Sequence, residues 1–361
     1  MKKQHTLVIL LLWAVVTVFN WLSPAKAVSD SERRPLAQFP AVTVDAVADG
    51  KFMKAFETYT LDQFFLRDGF RTVKSLFHYG ILGQKDNNGI YLHDGFAVKQ
   101  EKKLNTDSVN HALERFGNLY ETYLKDSKIY MAVVPDKGYY LAEAAGQLSM
   151  DYKALFSMVE DGIPWAEHID LTGSLSAEDY YRTDTHWRQE RLLKAAGVIA
   201  DAMGVTVSGA DAYTADALER PFYGVYYGQS ALPMEPDTMY LMKSALLEEC
   251  MVYDHETGRY GSVYDHDRES SRDLYDVYLS GARALLTIEN PHGKTDRELI
   301  VFRDSFGSSM APLLVQDYGK VTLVDIRYIS SGLLDRFIDF HGQDVLFLYS
   351  TLILNSSSAI K

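Results

Sequence analysis

Between residues 299 and 348 the chain alternates short apolar, β-branched runs with stretches of helical spacing. Leu299-Ile300-Val301-Phe302, Val321 to Val324 and Val345 to Leu348 have the composition of buried strands, and Gly307 to Asp317 and Ser331 to Phe340 read as helices between them. Alternation of this kind builds a parallel sheet, because parallel neighbours need crossover helices that cover the faces of the sheet. A further buried strand, Ile129 to Val134, stops at Pro135, and Arg188 to Met203 has the apolar spacing of an amphipathic helix. In parallel sheets reactive groups collect at the carboxyl ends of strands, so the turn after Phe302 is the first place to look for chemistry.

The N-terminus sets the compartment. Lys2 and Lys3 precede an apolar run from Thr6 to Leu22, followed by Ser23-Pro24-Ala25-Lys26-Ala27. A helix-breaking Pro and small residues at the positions read by a signal peptidase predict cleavage after Ala27, with an uncleaved anchor as the alternative. Either outcome places the remainder outside the cytoplasm, secreted or held at the cell surface. Residues 28–361 are then expected to form a single catalytic domain with an inserted Tyr-rich region around 204–290 that shows no clear period. With Cys250 as the sole cysteine, the exported chain forms no internal disulfide. Glu248 and Glu249 beside that thiol disfavour its thiolate, so packing is its expected role. Against 36 basic residues stand 49 acidic ones, and a net charge of −13 repels a nucleic-acid backbone.

Elsewhere, Lys51 to Phe77 and Leu104 to Leu124 have helical spacing. Asp94-Gly95, between Ile90-Tyr91-Leu92-His93 and Phe96, signals a hairpin.

Two segments invite a chemical reading. Arg303-Asp304-Ser305-Phe306-Gly307 puts Ser305 between a buried strand and a helix start. There its hydroxyl is exposed and its backbone N–H, with neighbours in the first helical turn, points at an anion formed on a bound carbonyl. The alternative is that Ser305 or Asp304 only caps the helix. A serine hydroxyl needs a base, usually an imidazole held by a carboxylate. Of ten histidines, His186 has the most suggestive company: Asp184-Thr185-His186-Trp187 sets an acid, an imidazole and a large aromatic side by side. In extended backbone Asp184 and His186 point to the same side, so Asp184 orients the ring and His186 takes the serine proton. The competing reading is a helix cap beside a core Trp187. A third metal ligand at suggestive spacing is not evident, and the serine chemistry calls for no cofactor.

Tyr181-Arg182-Thr183-Asp184-Thr185-His186-Trp187, Phe222-Tyr223-Gly224, Asp276-Val277-Tyr278-Leu279-Ser280-Gly281, Asp304-Ser305-Phe306 and Val324-Asp325-Ile326-Arg327-Tyr328 occur in that order. Together they resemble the bacterial DHHW family and, through it, the periplasmic alginate O-acetyltransferases. The resemblance implies a three-layer, SGNH-hydrolase-like (flavodoxin-like) α/β fold with a mostly parallel central sheet. It also implies a triad of Asp184, His186 and Ser305 moving acetyl groups on an extracellular polysaccharide, with a membrane-bound O-acyltransferase as a possible partner. An esterase using the same triad, or a non-catalytic polysaccharide-binding or assembly factor, are the competing functions. Trp187, Arg327, Tyr328 and Gly281, all within these motifs, are the candidate substrate contacts, Gly281 also being a weak candidate for the oxyanion hole. Thr185 departs from the family's name motif, where a first His is usual.

Overall fold

The computed structural model describes residues 2–29 and 31–361. They fall into two compact units: the chain up to Asn88 together with Tyr227–Met234, and Gly89–Tyr226 together with Glu235–Lys361.

The second unit is mixed α/β, built on an eight-stranded, mostly parallel sheet. In chain order its strands are β1 (Lys128–Val134), β2 (Glu167–Ile169), β3 (Met251–Asp254), β4 (Arg259–Gly261), β5 (Leu285–Glu289), β6 (Lys294–Arg303), β7 (Tyr318–Val324) and β8 (Asp344–Ser350). They lie side by side as β4-β3-β5-β7-β6-β8-β1-β2. The run β7-β6-β8-β1-β2 is parallel throughout, and β5, β3 and β4 extend it by antiparallel pairing. Counted from β6 and continued through the ends of the chain, the parallel strands stand in the order 2-1-3-4-5. That is the flavodoxin-like order, entered at a different strand. Its switch point, where strand order reverses and ligands bind, lies between β6 and β8.

Alternating residues of the central strands face two cores. Ile129, Met131, Val133, Ile300, Phe302, Val345 and Phe347 pack against the helices α4 (Thr106–Leu119) and α5 (Tyr152–Gly162). Tyr130, Ala132, Leu299, Val301, Leu346 and Leu348 pack against α6 (Leu193–Met203) and side chains from the Tyr-rich region. This period of two produces three layers. The Tyr-rich region also supplies β3, β4 and β5, short antiparallel strands whose pattern is weak in sequence.

The hairpin forms as expected, with Ile90–His93 paired to Phe96–Lys99 and positive φ at both Asp94 and Gly95, as a tight primed turn requires. Several expected helices are shorter than their apolar spacing suggests. Gly307 to Asp317 is one α-turn, Gly307–Met310, followed by a 3-10 turn, Ala311–Leu314, because Pro312 has no N–H to continue the ladder. Ser331 to Phe340 is a 3-10 segment, Ser331–Arg336. Arg188 to Met203 opens with a 3-10 turn before α6, and Leu104 to Leu124 is α4 ending in a π-turn, Tyr120–Leu124.

In the first unit α1 (Lys2–Leu22) has no buried residue along its apolar stretch, and Gln4–Leu22 is long and apolar enough to cross a membrane. The expected helix from Lys51 to Phe77 is two helices, α2 (Lys51–Asp62) and α3 (Arg67–Leu76). The break falls at Leu66, whose φ is 54°, where Asp62 turns inward to accept hydrogen bonds from Arg34 and the Ala37 N–H.

At the carboxyl edge of the sheet, buried polar groups tie strand ends together. Asp304, just past β6, accepts the Ser350 N–H at 2.8 Å and its hydroxyl at 2.7 Å from the end of β8. Thr351 in turn donates to Asp136, just past β1, at 2.7 Å. The adjoining Lys137 is buried, with Nζ donating to the carbonyls of Tyr181 at 2.8 Å and Arg182 at 3.3 Å. Burial pushes its ammonium down to about 7, against the opposing pull of Asp184, Asp237 and Asp136.

Two outcomes follow for stability. Phe347 stacks on Phe302 at 4.8 Å and meets Phe116 at 5.0 Å, so Phe347→Ala should cost about 3–5 kcal/mol in urea unfolding. Between pH 7 and the usual lysine range of about 10.4 the unfolded chain holds a proton on Lys137 that the folded chain has released, so rising pH stabilises the fold across that window. The wild-type urea midpoint should therefore climb relative to Lys137→Met from pH 7 to pH 9; parallel midpoints would contradict a buried, largely neutral amine.

Candidate active site

The turn after β6 is held by Asp304, which is fully buried and accepts the Phe306 N–H at 2.9 Å in addition to Ser350. Ser305 is thereby fixed at the carboxyl edge, between the ends of β6 and β8. The Gly307 N–H donates to the Asp304 carbonyl. Of the N–H groups expected to steady an anion, those of Phe306 and Gly307 are thus already engaged. The Ser305 N–H has no acceptor among the described residues.

The segment around His186 closes on itself. Tyr180 bridges Trp187, the Tyr181 N–H donates to the His186 carbonyl, and the Arg188 N–H to Asp179. Within this loop Asp184 and His186 do not share a face of extended backbone, as expected from their spacing. Instead the chain bends, and Asp184 Oδ1 accepts both the His186 N–H at 3.1 Å and the His186 ring Nδ1–H at 2.6 Å. Its other oxygen accepts the Val225 N–H at 2.7 Å. Asp184 is fully buried, so these donors compensate a charge that would otherwise be costly.

His186 Nε2 stands 2.7 Å from Ser305 Oγ. Because a carboxylate only accepts, Nδ1 carries the ring proton and Nε2 presents its lone pair to the hydroxyl. The imidazole lies flat on Tyr275, with ring centroids 3.9 Å apart and planes 7° from parallel. Tyr275 is held in turn by Ser309, 2.7 Å from its hydroxyl. Asp184, His186 and Ser305 thus form one hydrogen-bonded line across 121 positions of sequence.

The surrounding motifs have visible tasks. Gly224 sits so close to Asp184 that a Cβ there would lie 2.3 Å from the aspartate Cβ; glycine admits the approach that delivers the Val225 N–H. Asp237 clamps the same loop by accepting the Arg182 and Thr183 N–H groups at 2.9 and 2.8 Å and the Thr183 hydroxyl at 2.6 Å. Thr185 accepts the Tyr226 hydroxyl at 3.0 Å, which gives that non-histidine position a packing role.

Of the four candidate substrate contacts, Trp187 and Gly281 need correction. Trp187 is fully buried, with Nε1 donating to the Phe306 carbonyl and to Ser309 Oγ, so it offers no face to a sugar. Gly281 has φ 79° and packs on the Asp276 carboxylate, where a Cβ would lie 2.2 Å from the oxygen. Its N–H donates to the Tyr278 carbonyl, so it is not an oxyanion donor. Arg327 is clamped by Asp325 through two bonds of 2.8 and 2.6 Å. Tyr328 is exposed, its ring 5.4 Å from the Arg327 guanidinium. Cys250 is buried, and burial with Glu249 nearby pushes its thiol up to about 11, in keeping with packing. Spacing gave no hint of Tyr275, Asp237 or Lys137, which reach the site from three separate segments.

Comparison with known proteins agrees with the resemblance read from the motifs. The DHHW protein family model matches residues 167–324. No curated protein matches the chain. Among solved structures, a DHHW family protein from Eubacterium siraeum aligns with TM-score 0.63 and 21% identity over 76% of this chain and 95% of its own. Bacillus cereus PatB1, in a structure with a sulfonyl adduct, aligns with TM-score 0.53 and 15% identity over 73% of this chain and 95% of its own. The O-acetyltransferase domain of Pseudomonas putida AlgJ aligns at TM-score 0.44 and 14% identity, covering 74% and 92% of the two chains. The fold is shared with the first two. From the first residue of β2 to the last residue of β7, the stretch that holds Asp184, His186 and Ser305, this chain matches the DHHW family.

Proposed function

We propose that the chain is an extracytoplasmic O-acetyltransferase that places acetyl groups on an exopolysaccharide through an acetyl-serine intermediate. The observation that carries this reading is the line Asp184–His186–Ser305, with heavy-atom distances of 2.6 and 2.7 Å, ending on a serine whose N–H is open.

Ser305 Oγ attacks the carbonyl carbon of an acetyl donor while His186 Nε2 takes its proton, and Asp184 stabilises the imidazolium without itself being protonated. The Ser305 N–H donates to the oxyanion of the tetrahedral adduct. As the adduct collapses, His186 returns the proton to the departing group and leaves the acetyl ester on Ser305. A sugar hydroxyl then gives its proton to His186 and attacks the ester carbon. The second collapse breaks the Ser305–acetyl bond and sends the proton back to Oγ. Stacking on Tyr275 keeps the ring in the plane that both transfers use.

Acetyl transfer in particular is supported by the resemblance of the ordered motifs to those of the alginate O-acetyltransferases, and an N-terminal apolar helix suits an extracytoplasmic site. A membrane-bound O-acyltransferase belongs to this reading as the source of acetyl groups.

An activated acetyl ester supplied with and without oligosaccharide tests the proposal. Acetylated sugar should accumulate, and Ser305→Ala should lower its formation by at least about a thousandfold while leaving the circular dichroism unchanged. Asp184→Asn should cost about 10^4-fold by fixing the wrong imidazole tautomer. Acetate release that ignores added sugar would identify an esterase instead, and unchanged acetylation in Ser305→Ala would mark the line of residues as structural.

A further inference from the structure

The first unit turns one helix inside out. Along α3 and its π-turn extension, Phe77–Ile81, the residues facing the unit's interior are polar. Arg67 and Arg71 pair with Glu32, and Ser75 donates to the Ser230 carbonyl. An apolar row stands on the outside: Leu66, Phe70, Val73, Phe77 and Ile81 are 64, 52, 64, 47 and 74% exposed. Their spacing of four, three, four and four places them in one stripe. A helix that turns its arginines inward to a carboxylate and exposes its phenylalanines has the wrong sidedness for an aqueous surface.

Two further observations say what covers the stripe. The first is where α1 ends. Asn20 Oδ1 accepts the Phe65 N–H at 2.8 Å, and Phe19 stacks on Phe65 at 5.1 Å. Just beyond, Gln63 clasps Lys26 through its N–H and its carbonyl, each at 2.8 Å. A helix long and apolar enough to span a bilayer is therefore fixed at its exit beside Leu66, where the stripe begins. The second is charge. Past α1 this unit carries nine basic and eight acidic side chains, so the acidic excess of the chain resides wholly in the other unit. The first unit alone is free of the repulsion that an anionic lipid surface exerts on an acidic protein.

We propose that the first unit is a membrane-interface platform: α1 stays attached and crosses the bilayer, and the stripe from Leu66 to Ile81 lies in the boundary between headgroups and acyl chains of the leaflet from which α1 emerges. One apolar segment crosses, the other lies flat, and the clasp at Phe65 and Gln63 fixes the angle between them. The inference is independent of the acetyl-transfer reading.

The test uses the full chain with Cys250→Ser, reconstituted in phosphatidylcholine vesicles containing phosphatidylglycerol. Spin labels are placed through Phe70→Cys, Val73→Cys or Phe77→Cys on the stripe and Asp68→Cys on the opposite side. Stripe labels should collide severalfold more with lipid-dissolved oxygen than with a water-soluble nickel chelate, and Asp68→Cys should show the reverse. Nickel reaching the stripe as freely as position 68 would overturn the proposal. So would shielding that disappears when the protein is diluted into excess lipid, which would identify a second copy as the cover. Recovery from producing cells of a membrane-free chain beginning after Ala27 would overturn it as well.

Discussion

Asp184 is a carboxylate with no exposed surface, and the geometry of the site depends on how its charge is compensated. An anion taken out of water is tolerated only where donors replace its hydration, and here they come from the His186 backbone, the His186 ring and the Val225 backbone. Those three bonds are also what orients the imidazole. The close approach at Gly224 and the clamp from Asp237 both support this one charge. Loss of any of them would leave the aspartate under-solvated and the ring free to turn.

The same logic runs along the sheet edge. Asp304 joins the ends of β6 and β8 through Ser350 and holds the turn on which Ser305 sits. Asp136 joins the ends of β8 and β1 through Thr351, and Lys137 reaches from there to the loop that carries Asp184. Ser305 is therefore positioned by the switch point of the sheet, and His186 by a loop anchored to the next strand over. A rigid sheet edge, more than either loop alone, sets the 2.7 Å separation between ring and hydroxyl.

What could be read from sequence follows from how local each signal is. Strands buried on both faces are continuous apolar runs, so Ile129–Val134, Leu299–Phe302, Val321–Val324 and Val345–Leu348 were legible, as was the Asp94-Gly95 turn. The strands β3, β4 and β5 at one end of the sheet were not, because they are short and pair antiparallel. Apolar spacing overstated the helices after β6 and β7, since it does not register Pro312 or a preference for 3-10 turns. At the site, Asp184, His186 and Ser305 stood out by residue type, and the structure brings them together. Trp187 and Gly281 stood out equally, although one packs the core and the other relieves a close contact with Asp276. Motif residues that build a site and motif residues that support it look alike in one dimension. Tyr275 left no signal at all, because a stacking partner is recognised only in space.

In the proposed reaction the buried aspartate and the oriented imidazole make Ser305 an acyl acceptor. Peptide mapping by mass spectrometry after brief exposure to an activated acetyl ester, quenched in acid, tests it most directly. One acetyl group is expected on the peptide containing Ser305, absent in His186→Ala and discharged when oligosaccharide is added before the quench. An unmodified Ser305 peptide, or acetyl groups scattered over lysines at equal levels in wild type and His186→Ala, would contradict it.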